Sequence, residues 1–476
     1  MSENLSRREF IQVTAAGNLL TLSVPSLLTA DAAFKPPVLV SPGCRKSKVK
    51  VGKLYIGTPK NHWPTPLLDL KEEVQEYEKE FGRMKKEFAD VDFTVNELIT
   101  SADQLPPLYD RLKETDGILA IQVTMGIDKT LSNILSVQKP TILFAIPYSG
   151  HDWVGFGALR NRKEGARFDC ILSSDKQQLA AAVRPFRAIH HLREAKILNI
   201  TTNAPAPDYL KAIKDKFGTE IKVIGREPIL EAYESISDSV ARQEADQWIA
   251  KAEKIVEPSK EEIIKSCKLA LAFQKVLDAE EATVMSADCY GSMYHQLPAF
   301  PCIGWVRFNN MGLGGICESD LRSAMTHIIY QGLVGKPGFI SDPTLDVSKE
   351  SIILAHCLGS TKMDGPEGET CPYLIRSIME RQEGAVIEAK MRIGQKVTQA
   401  ILIGTDLMPY FTGEIIDTPE SPRGCRTKIT VKVDGDIDKL WQNWSNGLHR
   451  QTCYGNIVPD LQRFCRFQGI KLVNEA

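Results

Sequence analysis

The sequence predicts an α/β protein: two parallel-sheet α/β domains followed by a β-rich, barrel-like C-terminal domain. Three observations predict it. Strand-like and helix-like segments alternate at the spacing that βαβ units need, first through residues 46–165 and again from residue 166. Gly117 to Val123 is a near-continuous apolar run, as expected of a parallel strand covered on both faces. In the last hundred residues Lys428 to Val433 alternates apolar with polar side chains, which predicts an antiparallel sheet with one wet side.

Composition agrees with a soluble globular class: 476 residues, 43% apolar, 25% charged and 7% aromatic. Fifty-eight Lys and Arg balance 60 Asp and Glu, a net charge of -2, without the basic excess that nucleic-acid binding uses. No body segment has 18 uncharged apolar residues in a row, so no membrane span is expected. Eleven cysteines, an odd number with no C-x-x-C pair, do not form the regular pattern of a secreted disulfide scaffold. Cys267 and Cys317 are expected as buried free thiols.

Residues 1–32 read as a twin-arginine export signal. Ser6-Arg7-Arg8-Glu9-Phe10-Ile11-Gln12 is similar to S-R-R-x-F-L-K; a mildly apolar stretch, Val13 to Leu28, and the small-residue site Ala30-Asp31-Ala32 follow it. The expectation is a periplasmic or extracytoplasmic protein, exported folded.

After a linker from Lys35 to Lys50, the first domain (46–165) is expected to begin with a strand at Lys53–Gly57 and a charged helix over Pro66–Phe88. A strand at Val91–Val95, a short helix near Ala102–Lys113, the Gly117 strand, a helix near Lys129–Ser136 and a strand at Thr141–Ile146 complete it. The middle domain (166–360) starts with a strand at Cys170–Leu172 and a helix to Ala195 capped by Ser174 or Asp175. Strands at Ile197–Ile200 and Ile221–Ile224 follow, then two long helices divided at Glu257-Pro258-Ser259, and strands at Thr283–Ser286 and Ile303–Phe308. The C-terminal domain (361–476) has strands at Val386–Met391, Val397–Ile403 and Lys428–Val433, a helix near Val458–Phe467 and a strand at Ile470–Val473. The two parallel sheets are expected to be Rossmann- or flavodoxin-like.

Chemistry concentrates in three places. Met311 to Asp320 carries three glycines, but Cys317 stands where a dinucleotide fingerprint needs its third glycine, so no nicotinamide cofactor is expected. Glu318, at the start of an expected helix, also has an ordinary account as a charge favouring the helix dipole. Gly338-Phe339-Ile340-Ser341-Asp342-Pro343 ends in an Asp-Pro that taken alone reads as a turn. His449 lies in Gly447-Leu448-His449-Arg450, near Trp441 and Trp444. Together, Glu318, Asp342 and His449 form an oxygen-rich set with one imidazole, a donor set for Mn²⁺ or a similar divalent cation. Trp305, Trp441 and Trp444 are aromatic faces for either a sugar ring or the core. Lys362 to Pro366 reads as a turn, and His190-His191, on a helix with no partner expected one turn away, is assigned no metal.

The runs Leu297 to Arg307, Cys317-Glu318-Ser319-Asp320, Gly338 to Pro343 and Ile353-Leu354-Ala355-His356-Cys357 resemble the L-fucose/L-arabinose isomerase superfamily. The tail around His449, with Tyr454-Gly455-Asn456 and Phe464-Cys465, is similar to that family's C-terminal His motif. The resemblance spans about residues 285 to 470. It implies Mn²⁺ held by Glu318, Asp342 and His449, with His356 a ligand in the arabinose branch and near the site in the fucose branch. It implies aldose–ketose isomerisation through a cis-enediol, with Glu318 and Asp342 as the acid/base pair acting on a monosaccharide or sugar derivative. It also implies homo-oligomers in which a neighbour's N-terminal domain closes the site. Trp305 and Arg450 are further residues expected beside the ligands or the substrate, and Arg450 stands where some members carry a second His. An exported, non-catalytic sugar-binding protein of the same fold is the competing expectation.

Overall fold

In the computed structural model, β1 (Val49–Ile56), β2 (Val91–Ile99), β3 (Gly117–Gln122), β4 (Thr141–Ala145) and β5 (Phe168–Leu172) form one parallel sheet in the order β2-β1-β3-β4-β5. The structure describes residues 36–476, so the twin-arginine motif and its cleavage site lie outside the described residues. Every residue of β3 and β4 is buried because helices cover both faces. Alternate side chains go to opposite sides. Tyr55, Leu119, Ile121 and Phe144 pack with Tyr77, Val183 and Phe186, whereas Leu54, Ile118, Ala120 and Leu143 pack with Leu131, Ile134 and Phe156.

β6 (Lys196–Ile200), β7 (Glu220–Ile224), β9 (Val284–Ala287) and β10 (Gly314–Cys317) form a second parallel sheet, ordered β10-β9-β6-β7. The helices Lys260–Ala279, Cys302–Asn310 and Leu321–Val334 share its core. The first of these starts as its sequence suggests, with Ser259 and Glu262 forming a reciprocal capping box. The strand expected at Ile303–Phe308 is instead the helix Cys302–Asn310. Cys302 through Asn309 are all buried, so no polar face betrays the helical period and an apolar run cannot separate helix from strand. Gly315 makes this packing close: a Cβ there would lie 2.3 Å from the Trp305 Cα. The glycines before Glu318 therefore serve strand-to-helix contact.

β11 (Phe339–Asp346), β12 (Ser351–His356), β15 (Lys396–Ala400), β16 (Leu407–Asp417), β17 (Thr427–Asp434) and β18 (Arg450–Tyr454) are antiparallel. Because β15 pairs with both β16 and β18, the ring closes as a six-stranded barrel filled by Phe339, Leu354, Val397, Phe411, Ile429 and Val431. β19 (Lys471–Asn474) adds to β16 in parallel. A small sheet joins β8 (Lys254–Ile255), β13 (Tyr373–Arg376) and β14 (Val386–Ala389). The wet face expected on β17 is partly covered: Lys432 is exposed, but Lys428 and Thr430 are buried.

Strand membership departs from the expected boundaries. β5 lies past residue 165 yet completes the first sheet, and β11 and β12 lie before residue 361 yet belong to the barrel. Periodicity identifies a strand but not the sheet it joins. The described residues form one compact unit, and none of their helices is long and apolar enough to cross a membrane. The helix Val458–Gln468 returns to the first sheet, where Phe467 stacks on Phe186 at 6.1 Å and Asp460 accepts from Arg184 at 3.0 Å.

Candidate metal centre

Glu318 follows the last residue of β10, at the carboxyl end of the second parallel sheet, where open α/β sheets place their ligands. The helix expected to begin near Glu318 begins at Leu321. Glu318 and Ser319 occupy the left-handed region, with φ of 58° and 53°. This conformation costs a non-glycine residue about 1–2 kcal/mol, and such strain concentrates at functional sites. The turn frees Glu318 from the helix, and the N-cap falls to Asp320. Asp320 Oδ1 accepts from the Arg322 and Ser323 amides at 3.0 and 3.1 Å.

Asp342 and Pro343, which alone read as a turn, are both inside β11. Pro343 is tolerated there because the pairing of β11 with β18 stops at Ser341, so no ladder bond needs its nitrogen. Register does the rest. Ser341 pairs with Arg450, the last pair of that ladder, and just past it Asp342 and His449 come side by side. Asp342 pairs with Ala355 on its other side, which brings the neighbouring His356 to the same rim.

Residues far apart in the chain thus meet. His449 Nε2 is 3.1 Å from Asp342 Oδ1 and 3.8 Å from Glu318 Oε2. His356 Nε2 is 3.7 Å from Glu318 Oε1, and its ring centroid lies 5.4 Å from that of His449. Ligand atoms of Asp342, His356 and His449 all lie within 4.8 Å of one another, as do those of Cys317, Glu318 and His356. On its far side, His449 Nδ1 contacts Asp320 Oδ2 at 3.2 Å. That contact aims Nε2 at the two carboxylates, the arrangement in which a carboxylate orients a metal-binding imidazole.

Electrostatics mark the group as strongly coupled. Burial raises the Glu318 carboxyl, and the charges of Asp342, Asp320 and Asp288 add to this against the opposing pull of His449. For Asp342, burial works upward but is outweighed by the neighbouring His449 and His356, so its pKa is lowered. Asp320 is lowered in the same way, burial being overcome by His449 and Ser323. Burial also opposes charge on His449, but Asp320 and Asp342 lift its pKa to about 10. Burial and the neighbouring His449 push His356 down to about 4. Asp342 Oδ1, His449 Nε2 and His356 Nδ1 are buried without a hydrogen-bond partner. Unpaired carboxylate and imidazole atoms in one cluster fit a hard or borderline dication, which would take the place of the imidazole proton.

Two residues expected beside the substrate are elsewhere. Trp305 is fully buried and stacks on Phe273 at 4.7 Å and 11°, so it is a core residue and has no face for a sugar. Arg450 turns away from the rim. It is 1% exposed, donates to Ser445 O at 2.8 Å and Glu475 Oε1 at 3.2 Å, and lies 4.4 Å above the Trp444 ring. Trp441 is half exposed on the short helix Ile437–Asn443. His190 does have a carboxylate one turn away, Glu194 at 3.5 Å, and also pairs with Asp116 at 3.0 Å. Sequence reasoning missed the role of Asp320, although an Asp just before an apolar helix is a cap signal. No protein-family model matches the chain, and no curated protein matches it by sequence.

Proposed function

We propose that the protein is a metal-dependent aldose–ketose isomerase of the superfamily its motifs resemble, exported folded and acting on a monosaccharide or sugar derivative. The observation that carries this reading is that His449 Nε2 lies 3.1 Å from Asp342 and 3.8 Å from Glu318, with Asp320 holding the imidazole behind it. These three, with His356 adjacent, would hold Mn²⁺ or a similar divalent cation, which supplies Lewis-acid polarisation of the sugar carbonyl. The remaining chemistry belongs to the side chains. Two carboxyl groups flanking one imidazole divide the work. Asp342 stays anionic and orients the sugar hydroxyls, while Glu318 takes the proton from C2, holds it, and delivers it to C1 of the cis-enediol. Asp320 keeps the imidazole in place throughout.

The architecture supports the same reading. The β2-β1-β3-β4-β5 order is that of flavodoxin-like sheets, and two parallel sheets ahead of a barrel agree with the layout the resemblance implies. Tyr148, Trp153 and Val154 are 76%, 54% and 72% exposed just beyond the carboxyl end of β4, an apolar patch suited to a neighbouring subunit in a homo-oligomer. The test is incubation of the full chain with Mn²⁺ and a panel of aldoses, with ketose as the readout. Turnover on at least one aldose, abolished in Glu318→Gln with little change in metal-free melting temperature, is the expected result. Sugar binding without turnover on any aldose would overturn the isomerase in favour of a non-catalytic binder.

A further inference from the structure

Three other side chains from separate segments converge. Cys357 directly follows β12, Glu380 lies in the loop after β13, and Cys425 lies in the loop entering β17. Their ligand atoms are all within 4.8 Å of one another. The Cys425 thiol donates to Glu380 Oε1 at 3.2 Å and the Cys357 thiol donates to Glu380 Oε2 at 3.8 Å, so one carboxylate spans two thiols.

We propose that Cys357, Glu380 and Cys425 form a Zn²⁺ site distinct from the Glu318 group. With Zn–S of about 2.3 Å and Zn–O of about 2.1 Å at tetrahedral angles, sulfur and oxygen ligands stand about 3.6 Å apart. Glu380 Oε1 stands 3.2 Å from the Cys425 sulfur and Oε2 3.8 Å from the Cys357 sulfur, so each thiol has a carboxylate oxygen near that distance. Two thiolates with one carboxylate select a borderline-soft ion, Zn²⁺, over the hard cations suited to oxygen donors. Glu380 is exposed, Cys425 half-buried and Cys357 buried, so the ion enters from solvent and a water completes the tetrahedron. The Tyr290 hydroxyl, beside Cys357, is buried with no hydrogen-bond partner and would be free to donate to the thiolate that metal binding creates. Binding exchanges two S–H protons, released to solvent, for one dication, and nothing is oxidised. The ion ties two loops to the end of β12, one residue from His356. No residue is shared with the Glu318 group, and the proposal stands whether or not the protein is an isomerase.

Full-length protein purified under reductant is titrated with Co²⁺ and with Zn²⁺. Co²⁺ on thiolates gives an intense near-ultraviolet charge-transfer band that oxygen and nitrogen ligands do not give. The wild type is expected to show this band and to hold one Zn²⁺ beyond any ion at the Glu318 group. Cys425→Ser is expected to lose at least half of the band intensity and at least ~100-fold in Zn²⁺ affinity, since removing even an indirect partner of a metal ligand costs up to about that much. Glu380→Gln, which leaves the thiols and the fold untouched, is expected to keep the band but bind at least ~10-fold more weakly. Absence of the band in folded, reduced wild type would overturn the site, as would more than half of its intensity remaining in Cys425→Ser. A Cys357–Cys425 disulfide in protein whose thiols were blocked at lysis would overturn it equally.

Discussion

The two oxygens of Asp320 act on different partners: Oδ1 starts the helix Leu321–Val334 and Oδ2 holds His449 Nδ1. Asparagine caps a helix about as well as aspartate but brings no charge to the imidazole. Asp320→Asn is therefore expected to weaken Mn²⁺ binding about 10–100-fold, by calorimetric titration, while the melting temperature hardly moves. Unchanged affinity would remove Asp320 from the metal centre. At this scale the sequence was informative about residue types: Glu318, Asp342 and His449 stood out as oxygen and imidazole donors at the ends of elements. It could not reveal the Asp320–His449 contact, because a bond across 129 residues leaves no local pattern.

Among the elements, the helix Leu321–Val334 has the clearest pH signature. His327 is fully buried in it; its Nδ1 accepts from the Gly338 amide at 3.2 Å and its Nε2 donates to Leu313 O at 3.2 Å. Burial depresses its pKa to about 4. Between the unfolded value near 6.5 and about 4, the unfolded chain binds a proton that the folded chain refuses, so stability falls as pH falls. The slope approaches about 1.4 kcal/mol per pH unit for one group. His327→Gln, which can both donate and accept, is expected to flatten that slope in urea unfolding measured across the window; an unaltered slope would acquit His327. The elements themselves were legible where one face is wet or the run is long, as at Leu70–Arg83 and β3. Cys302–Asn310 was misread because it is buried all round, and Asp342-Pro343 because an edge that tolerates proline looks locally like a turn.

For the molecule as a whole, what the sequence withheld was pairing. Nothing local to β15 says that it bonds to both β16 and β18, yet that double pairing closes the barrel on whose rim Asp342 and His449 meet, just past the end of the β11–β18 ladder. Long-range ties of the same kind hold the barrel to the end of the chain, where the Arg450 guanidinium meets Glu475 in a pair only 1% and 3% exposed. Removing one partner of a buried pair costs about 3–5 kcal/mol. Arg450→Met is expected to lose that much in denaturant unfolding while metal affinity changes less than about 2-fold, since Arg450 faces away from the metal centre. A fall in metal affinity without loss of stability would return Arg450 to the site.

The docking of Val458–Gln468 on the helix Gln178–Glu194 has a consequence for biogenesis. Until that late segment leaves the ribosome, Phe186 lacks its stacking partner and Arg184 its counter-charge. The early α/β layer can assemble during translation, but its outer surface is sealed only once that later segment has emerged. Quality control that inspects exposed apolar surface would therefore register a prematurely terminated product at its oldest part, far from the break.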